Sequence, residues 1–125
     1  MPETLETNQV LLIVDNSLLI LERLITILKE VKTADNILTA IDYTEAVNIL
    51  KEKQTGIVLL DIQLPGKNGI ELLRFIVKNH PEIKVVMISN LVSDYYQRLC
   101  KKIGAVHFID KSKYFDLIHG VVAAL

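Results

Sequence analysis

The chain has 125 residues, half of them hydrophobic, and its formal net charge is −1. A chain of this length forms one domain with a sizeable buried core. The near-neutral charge argues against a nucleic-acid-binding module, which needs a strongly basic face. No uncharged apolar run approaches the roughly 20 residues of a membrane helix. The N-terminus lacks a signal-peptide pattern, and the single cysteine, Cys100, cannot form an internal disulfide, which fits a cytoplasmic location.

Short apolar runs alternate with amphipathic segments along the chain. Residues 1–8 are polar and predict a flexible N-terminal lead, followed by one domain over 9–125. The run VLLIV predicts the first strand because it is continuously apolar and of strand length. Similar runs predict four further strands, at 36–40, 57–60, 84–88 and 106–109. Apolar residues at helical spacing predict five helices, at 17–31, 43–53, 69–79, 93–103 and 113–124.

This alternation predicts an α/β fold, with a five-stranded parallel sheet and helices on both faces. Right-handed crossovers leave few topologies. We expect a doubly wound sheet with strand order 2-1-3-4-5, whose ligand cleft lies beyond the C-terminal ends of strands 1 and 3.

Four of the five predicted strands end in acids, amides, a hydroxyl or a lysine. These residues are Asp15, Asn16, Asp61, Ser89, Asn90, Asp110 and Lys111. Each one alone is an ordinary turn or cap residue, but together they favour a site at one edge of the sheet. Clustered oxygens suit Mg²⁺, and lysine and hydroxyl donors suit a phosphoryl group. A carboxylate beside a metal ion can attack phosphorus and become an acyl phosphate.

Four motifs in this order resemble the receiver domain of response regulators in two-component signalling. The motifs are LLIVDN, LLDIQLPGKNGIELL, VVMISN and GAVHFIDKS, and the resemblance covers residues 9–125. It implies the flavodoxin-like form of the doubly wound fold. It also implies that the protein acts in the cytoplasm and is not an enzyme, beyond Mg²⁺-dependent self-phosphorylation from phosphodonors and self-dephosphorylation.

The resemblance implies a role for each matching residue. Asp61 matches the aspartate that takes a phosphoryl group from phosphohistidine. Asp15 and the main-chain carbonyl of Gln63 match ligands of Mg²⁺, together with Asp61. Ser89 matches the switch hydroxyl, and Lys111 matches the lysine that pairs with the phosphoryl group.

Two positions depart from the family pattern. Asn16 stands where a second acid is usual, and the loss of one negative charge predicts a weak Mg²⁺ site. Ser112 stands where a proline usually follows the lysine, which leaves open whether the bond from Lys111 is cis or trans. Phe108 matches the aromatic residue whose rotamer reports the state, but it has no hydroxyl and would couple by packing alone.

Two groups of residues are candidates for partner surfaces. Four apolar residues in a row, LLIL at 18–21, wrap more of a helix than one core stripe needs, so we expect Leu19 or Ile20 to be exposed for a histidine kinase or phosphotransfer protein. Aromatic residues cluster late in the chain, including Tyr95, Tyr96 and Tyr114. They suit either core packing or the helix 4–strand 5–helix 5 face, through which receivers dimerise or contact a downstream protein.

The expected function is therefore a stand-alone receiver of a phosphorelay, phosphorylated on Asp61, with no nucleic-acid or membrane partner. A pseudo-receiver that works without phosphorylation is the alternative, because the acidic pair is reduced to Asp15 and Asn16. A metal-dependent phosphatase has less support, because no general acid, base or substrate pocket is evident elsewhere.

Overall fold

A computed structural model describes residues 9–31, 36–91, 93–112 and 117–125. Its strands are β1 (Val10–Val14), β2 (Ile37–Ala40), β3 (Thr55–Leu60), β4 (Lys84–Ser89) and β5 (His107–Asp110). Its helices are α1 (Leu18–Leu28), α2 (Tyr43–Glu52), α3 (Gly69–Asn79), α4 (Asp94–Ile103) and α5 (Ile118–Ala123). The predicted lead at 1–8 and the predicted start of the last helix at 113–116 lie outside the described residues.

The five strands form one parallel sheet of order 2-1-3-4-5, which confirms the predicted topology. Val14 pairs with Leu60 in the register of β1 and β3, so both strands end at the same level. The main-chain N–H of Asp61 then donates to the carbonyl of Val14, at 3.0 Å. The two aspartates that follow these strands are thereby placed at one edge of the sheet.

Two apolar layers cover the sheet. Alternate residues of β1 enter each layer, with Leu12 and Val14 on one side and Leu11 and Ile13 on the other. The first layer packs against α2, α3 and α4 and includes the buried Cys100. The second packs against α1 and α5. A strand buried on both faces explains why VLLIV is apolar throughout.

Element boundaries differ from the predictions by a few residues. β3 begins at Thr55, two residues early, because Thr55 pairs with Val10 across the sheet. β5 begins at His107, one residue late, where its pairing with Val86 starts. Ser17 caps α1, and its side chain accepts from the N–H of Ile20 at 3.3 Å. No helix within the described ranges combines the length and apolarity needed to span a membrane.

Candidate functional site

Two buried carboxylates lie where β1 and β3 end. Asp15 is 0% exposed and Asp61 is 3% exposed. An Oδ1 of each accepts from the main chain two residues ahead, from Ser17 N–H at 2.9 Å and from Gln63 N–H at 3.3 Å. These local bonds orient both side chains at the C-terminal edge of the sheet, as the strand-end pattern predicted.

Lys111 joins the two carboxylates. Its Nζ lies 2.7 Å from Oδ2 of Asp15 and donates to Oδ2 of Asp61 at 3.1 Å. The contact with Asp15 is a short ion pair in which the ammonium lies at hydrogen-bond distance from a fully buried carboxylate oxygen. Lys111 is therefore the partner of both Oδ2 atoms. The sequence placed these three residues at one sheet edge but did not predict that one ammonium would bridge both acids.

Burial and charge shift two pKa values at this site. Burial raises the pKa of the Asp61 carboxyl above its ordinary 3.8, and the negative charge of Asp15 adds to the rise. Lys111 and the N–H of Gln63 oppose the rise without cancelling it. For Lys111, burial lowers the pKa, but the Asp15 and Asp61 carboxylates outweigh burial and leave that pKa above 10.5. The ammonium is therefore charged at neutral pH, and the stability it contributes is lost only as the pH rises through its folded-state pKa.

Ser89 completes the cluster from β4. Its side chain is buried, and its Oγ accepts from the N–H of Leu91 at 3.1 Å. The N–H of Lys111 donates to the carbonyl of Ser89 at 3.0 Å, which ties the end of β5 to the end of β4. The hydroxyl and the ammonium thus come from adjacent strand ends.

The loop after β5 is held by its own side chains. Oδ1 of Asp110 accepts from the N–H and the Oγ of Ser112, at 2.9 and 2.7 Å. No peptide bond among the described residues is cis, so Ser112 follows Lys111 through a trans bond. Asn90, the remaining predicted strand-end residue, is exposed.

Gly69 positions the Asp61 loop, a role that sequence reasoning missed. Its N–H donates to the carbonyl of Ile62 at 2.8 Å, and a Cβ at this position would fall on the carbonyl oxygen of Asp61. The first turn of α3 therefore packs directly against the main chain of the candidate phosphoacceptor. A glycine directly after the N-cap Asn68 was the available signal.

The oxygen atoms at this site meet the needs of a bound Mg²⁺ only in part. Asp15 and Asp61 offer two buried carboxylates, whose Oδ2 atoms both pair with Lys111. The carbonyl of Gln63 accepts no hydrogen bond from the described residues. Asn16 is exposed and neutral. In the described ranges no three His, Cys, Asp or Glu side chains gather as a metal-binding group. The site therefore offers Mg²⁺ two carboxylates, whereas an acid at position 16 would supply a third.

The candidate partner residues differ in exposure. Leu19 is 67% exposed, as expected, but Ile20 is half-buried because it packs against the layer between the sheet, α1 and α5. Leu18, the first residue of α1, is also exposed, at 68%.

The late aromatic residues divide between core and surface. Tyr95 is 67% exposed and meets the half-buried Tyr96 edge to face, with ring centroids 5.3 Å apart. Tyr96 and Phe108 both pack against the layer under α2, α3 and α4. Tyr114 lies outside the described residues.

Comparison with known families agrees with this geometry. Residues 11–123 match the family described as the response regulator receiver domain. The chain belongs to this family, whose members are signalling modules of two-component systems that generally bind Mg²⁺ in an acidic pocket.

Solved receiver structures have the same fold. A CheY-like receiver domain protein from Methanospirillum hungatei JF-1 is 26% identical, with a TM-score of 0.81 over 93% of this chain and 92% of that one. The BeF3-activated N-terminal receiver domain of Klebsiella pneumoniae RstA is 22% identical, with a TM-score of 0.81 over 91% and 95%. The receiver domain of a DNA-binding response regulator from Colwellia psychrerythraea 34H is 19% identical, with a TM-score of 0.82 over 93% and 96%. At the 22% and 19% identity of the last two structures, the likeness shows a shared fold only.

Proposed function

We propose that this chain is a phosphoacceptor that takes a phosphoryl group onto Asp61 from a phosphohistidine of a histidine kinase or phosphotransfer protein. The observation that supports this most directly is the buried Asp61 carboxylate, hydrogen-bonded to Lys111 beside a second carboxylate. An Oδ of Asp61 attacks phosphorus, and the bond from phosphorus to the imidazole nitrogen breaks. The nitrogen leaves with the electron pair, and an acyl phosphate forms on Asp61.

The surrounding side chains suit the product. Phosphorylation adds about −1.5 to −2 charge. The Lys111 ammonium then pairs with phosphoryl oxygens, and the Ser89 hydroxyl turns from Leu91 to donate to one of them. We propose that this rearrangement is the switch, because it withdraws Lys111 from Asp15 and Ser89 from the main chain after β4.

We propose that Mg²⁺ assists this transfer and binds weakly. Asp15, Asp61 and the Gln63 carbonyl would hold it, with the amide oxygen of Asn16 as a poor fourth donor. When bound, the cation offsets the repulsion between an attacking carboxylate and a phosphoryl group. The weakness follows from the neutral side chain at position 16.

Two surfaces are proposed for partners. On α1, the exposed Leu19 lines a groove of about 400 Å³ together with Glu22, Arg23 and Thr26, and the preceding Leu18 is exposed as well. An apolar patch rimmed by polar residues suits the helix of a kinase or phosphotransfer protein. The α4–β5–α5 face, with Tyr95 exposed and Tyr96 beneath it, would signal to a downstream protein or to a second copy of the chain.

A pseudo-receiver is the second candidate. It is favoured by two observations: the Lys111 ammonium already pairs with both buried carboxylates, and the residue beside Asp15 carries no charge. In that case the protein would bind its partner in the state described here and would need no phosphorylation. We propose for either candidate that the protein works in the cytoplasm and is not an enzyme. The phosphoacceptor would at most catalyse its own phosphorylation and dephosphorylation.

A phosphodonor experiment separates the two candidates. The protein is incubated with acetyl phosphate and Mg²⁺, and its intact mass is measured with time. The phosphoacceptor proposal predicts one added phosphoryl group that is lost in mild base and absent from Asp61→Asn. The exposed Asp94 supplies a matched control, since Asp94→Asn should be phosphorylated as the wild type is. No added mass at high Mg²⁺ would favour the pseudo-receiver.

A further inference from the structure

A groove separates α3 and α4 on the face of the molecule away from α1 and α5. It has a volume of about 480 Å³ and is lined by three half-buried aliphatic residues and three exposed cations: Val77, Leu99, Ile103, Arg74, Lys78 and Lys102. At one end, Gly104 adopts φ +144°, and a Cβ there would come within 2.9 Å of Cγ2 of Val77. The close packing of α4 against α3 thus forms an apolar floor between two basic walls.

The cations of this groove are uncompensated. None of Arg74, Lys78 and Lys102 forms an ion pair with any residue in the described ranges, and no acid lines the groove. The whole chain carries a net charge of −1, so this positive patch is a local feature. Such a patch attracts an anionic partner and disfavours a cationic one.

The basic ridge continues on the other side of α3. Arg74 and Lys78 also line a second groove, of about 450 Å³, in which Lys67 adds a third cation and Glu71 is the one acid. There the Nζ of Lys67 lies over the Tyr43 ring, 4.8 Å from its centroid. A ligand lying along α3 would therefore meet lysine and arginine on both flanks.

We infer that the groove between α3 and α4 binds an acidic amphipathic segment of a partner protein. Its Asp or Glu side chains would pair with Arg74, Lys78 and Lys102, and its aliphatic side chains would fill the floor. The floor favours a peptide over a nucleic acid, because it offers no aromatic ring for a base to stack on. The concave shape favours a peptide over a membrane, which is contacted by projecting apolar faces.

Peptide display gives an unbiased test. Random peptides are selected in parallel against the wild type and against a doubly charge-reversed variant, Arg74→Glu with Lys102→Glu. We expect peptides enriched only on the wild type to combine acids with Leu, Ile or Val. Enrichment of peptides without acids, or no enrichment on the wild type, would overturn the inference.

The affinity of one enriched peptide for the wild type and for each variant is then measured by fluorescence anisotropy. The double reversal should weaken binding by at least about tenfold, with less effect at high salt. Lys29→Glu with Lys51→Glu changes the net charge equally on exposed sites elsewhere, and it should change affinity by less than about twofold. An equal loss of peptide affinity in both variants would contradict a defined site. The inference would also be contradicted if a single-stranded oligonucleotide or anionic vesicles bound the wild type more tightly than the peptide does. Thermal unfolding of each variant checks that it is folded.

Discussion

Removing the ammonium of Lys111 should destabilise the fold in a strongly pH-dependent way. Lys111→Met keeps an unbranched apolar side chain that ends where the ammonium begins, and it leaves Asp15 and Asp61 buried together without a cation. Breaking a buried ion pair by deleting one partner costs about 3–5 kcal/mol. The fold can limit this loss if one carboxylate takes up a proton.

The cost of that proton can be worked out from the ordinary carboxyl pKa of 3.8. Neutralising the acid costs about 1.36 kcal/mol for each pH unit above this value. The expected loss is therefore about 4 kcal/mol at pH 7 and about 1.5 kcal/mol at pH 5. A domain of this size has a total stability of about 5–15 kcal/mol, so the variant at pH 7 should lose roughly a quarter to four-fifths of it.

Urea unfolding at several pH values, in the presence of a chelator, measures both losses. Lys101→Met is the control, because Lys101 is exposed on α4, and it should change stability by less than about 0.5 kcal/mol. Two results would refute the reasoning: a Lys111→Met variant as stable as the wild type at pH 7, or a loss that is the same at pH 5 and pH 7.

Three further predictions concern the same site. Gly69→Ala should lower the free energy of unfolding by at least about 3 kcal/mol, measured in urea, because its Cβ would overlap the Asp61 carbonyl. Gly120→Ala is the control, because open space surrounds Gly120, and it should raise that free energy by up to about 1 kcal/mol. Equal effects of the two substitutions would contradict the close packing at Gly69. Because burial raises the pKa of Asp61, the wild type loses stability as the pH rises from 3.8 through the folded pKa. Asp61→Asn should therefore be more stable than the wild type at pH 7, with a difference that shrinks towards pH 4, and a constant difference would be evidence against this account. Asn16→Asp should tighten Mg²⁺ binding by about tenfold or more in calorimetric titration, while Asn48→Asp, on an exposed face of α2, should not; equal affinities in the two variants would show that charge at position 16 is unimportant.

The fold was predictable because its signals are local. Each strand is a short apolar run, and β1 reads as buried on both faces because it enters both core layers. The parallel order then followed from the alternation of strands and helices. Asp15 and Asp61 could be placed side by side because the residues before them, Val14 and Leu60, end their strands in register.

The details that sequence reasoning missed depend on distances between elements. The bridging position of Lys111 depends on how far its side chain reaches across three strand ends, which periodicity does not encode. Gly69 is needed because of a contact between a helix start and a distant loop carbonyl. The exposure of Leu18, the first residue of α1, was not predictable from its helical phase, which would place it with the buried Leu21.

The central claim is that Asp61 carries the phosphoryl group, and reductive trapping tests it most directly. The protein is treated with acetyl phosphate and Mg²⁺ and then with borohydride, which reduces an acyl phosphate to the alcohol. Peptide mass analysis then locates the reduced residue. We predict homoserine at position 61 and an unmodified aspartate at position 15. A phosphoryl group trapped on Asp15, or on no carboxylate at all, would contradict the claim.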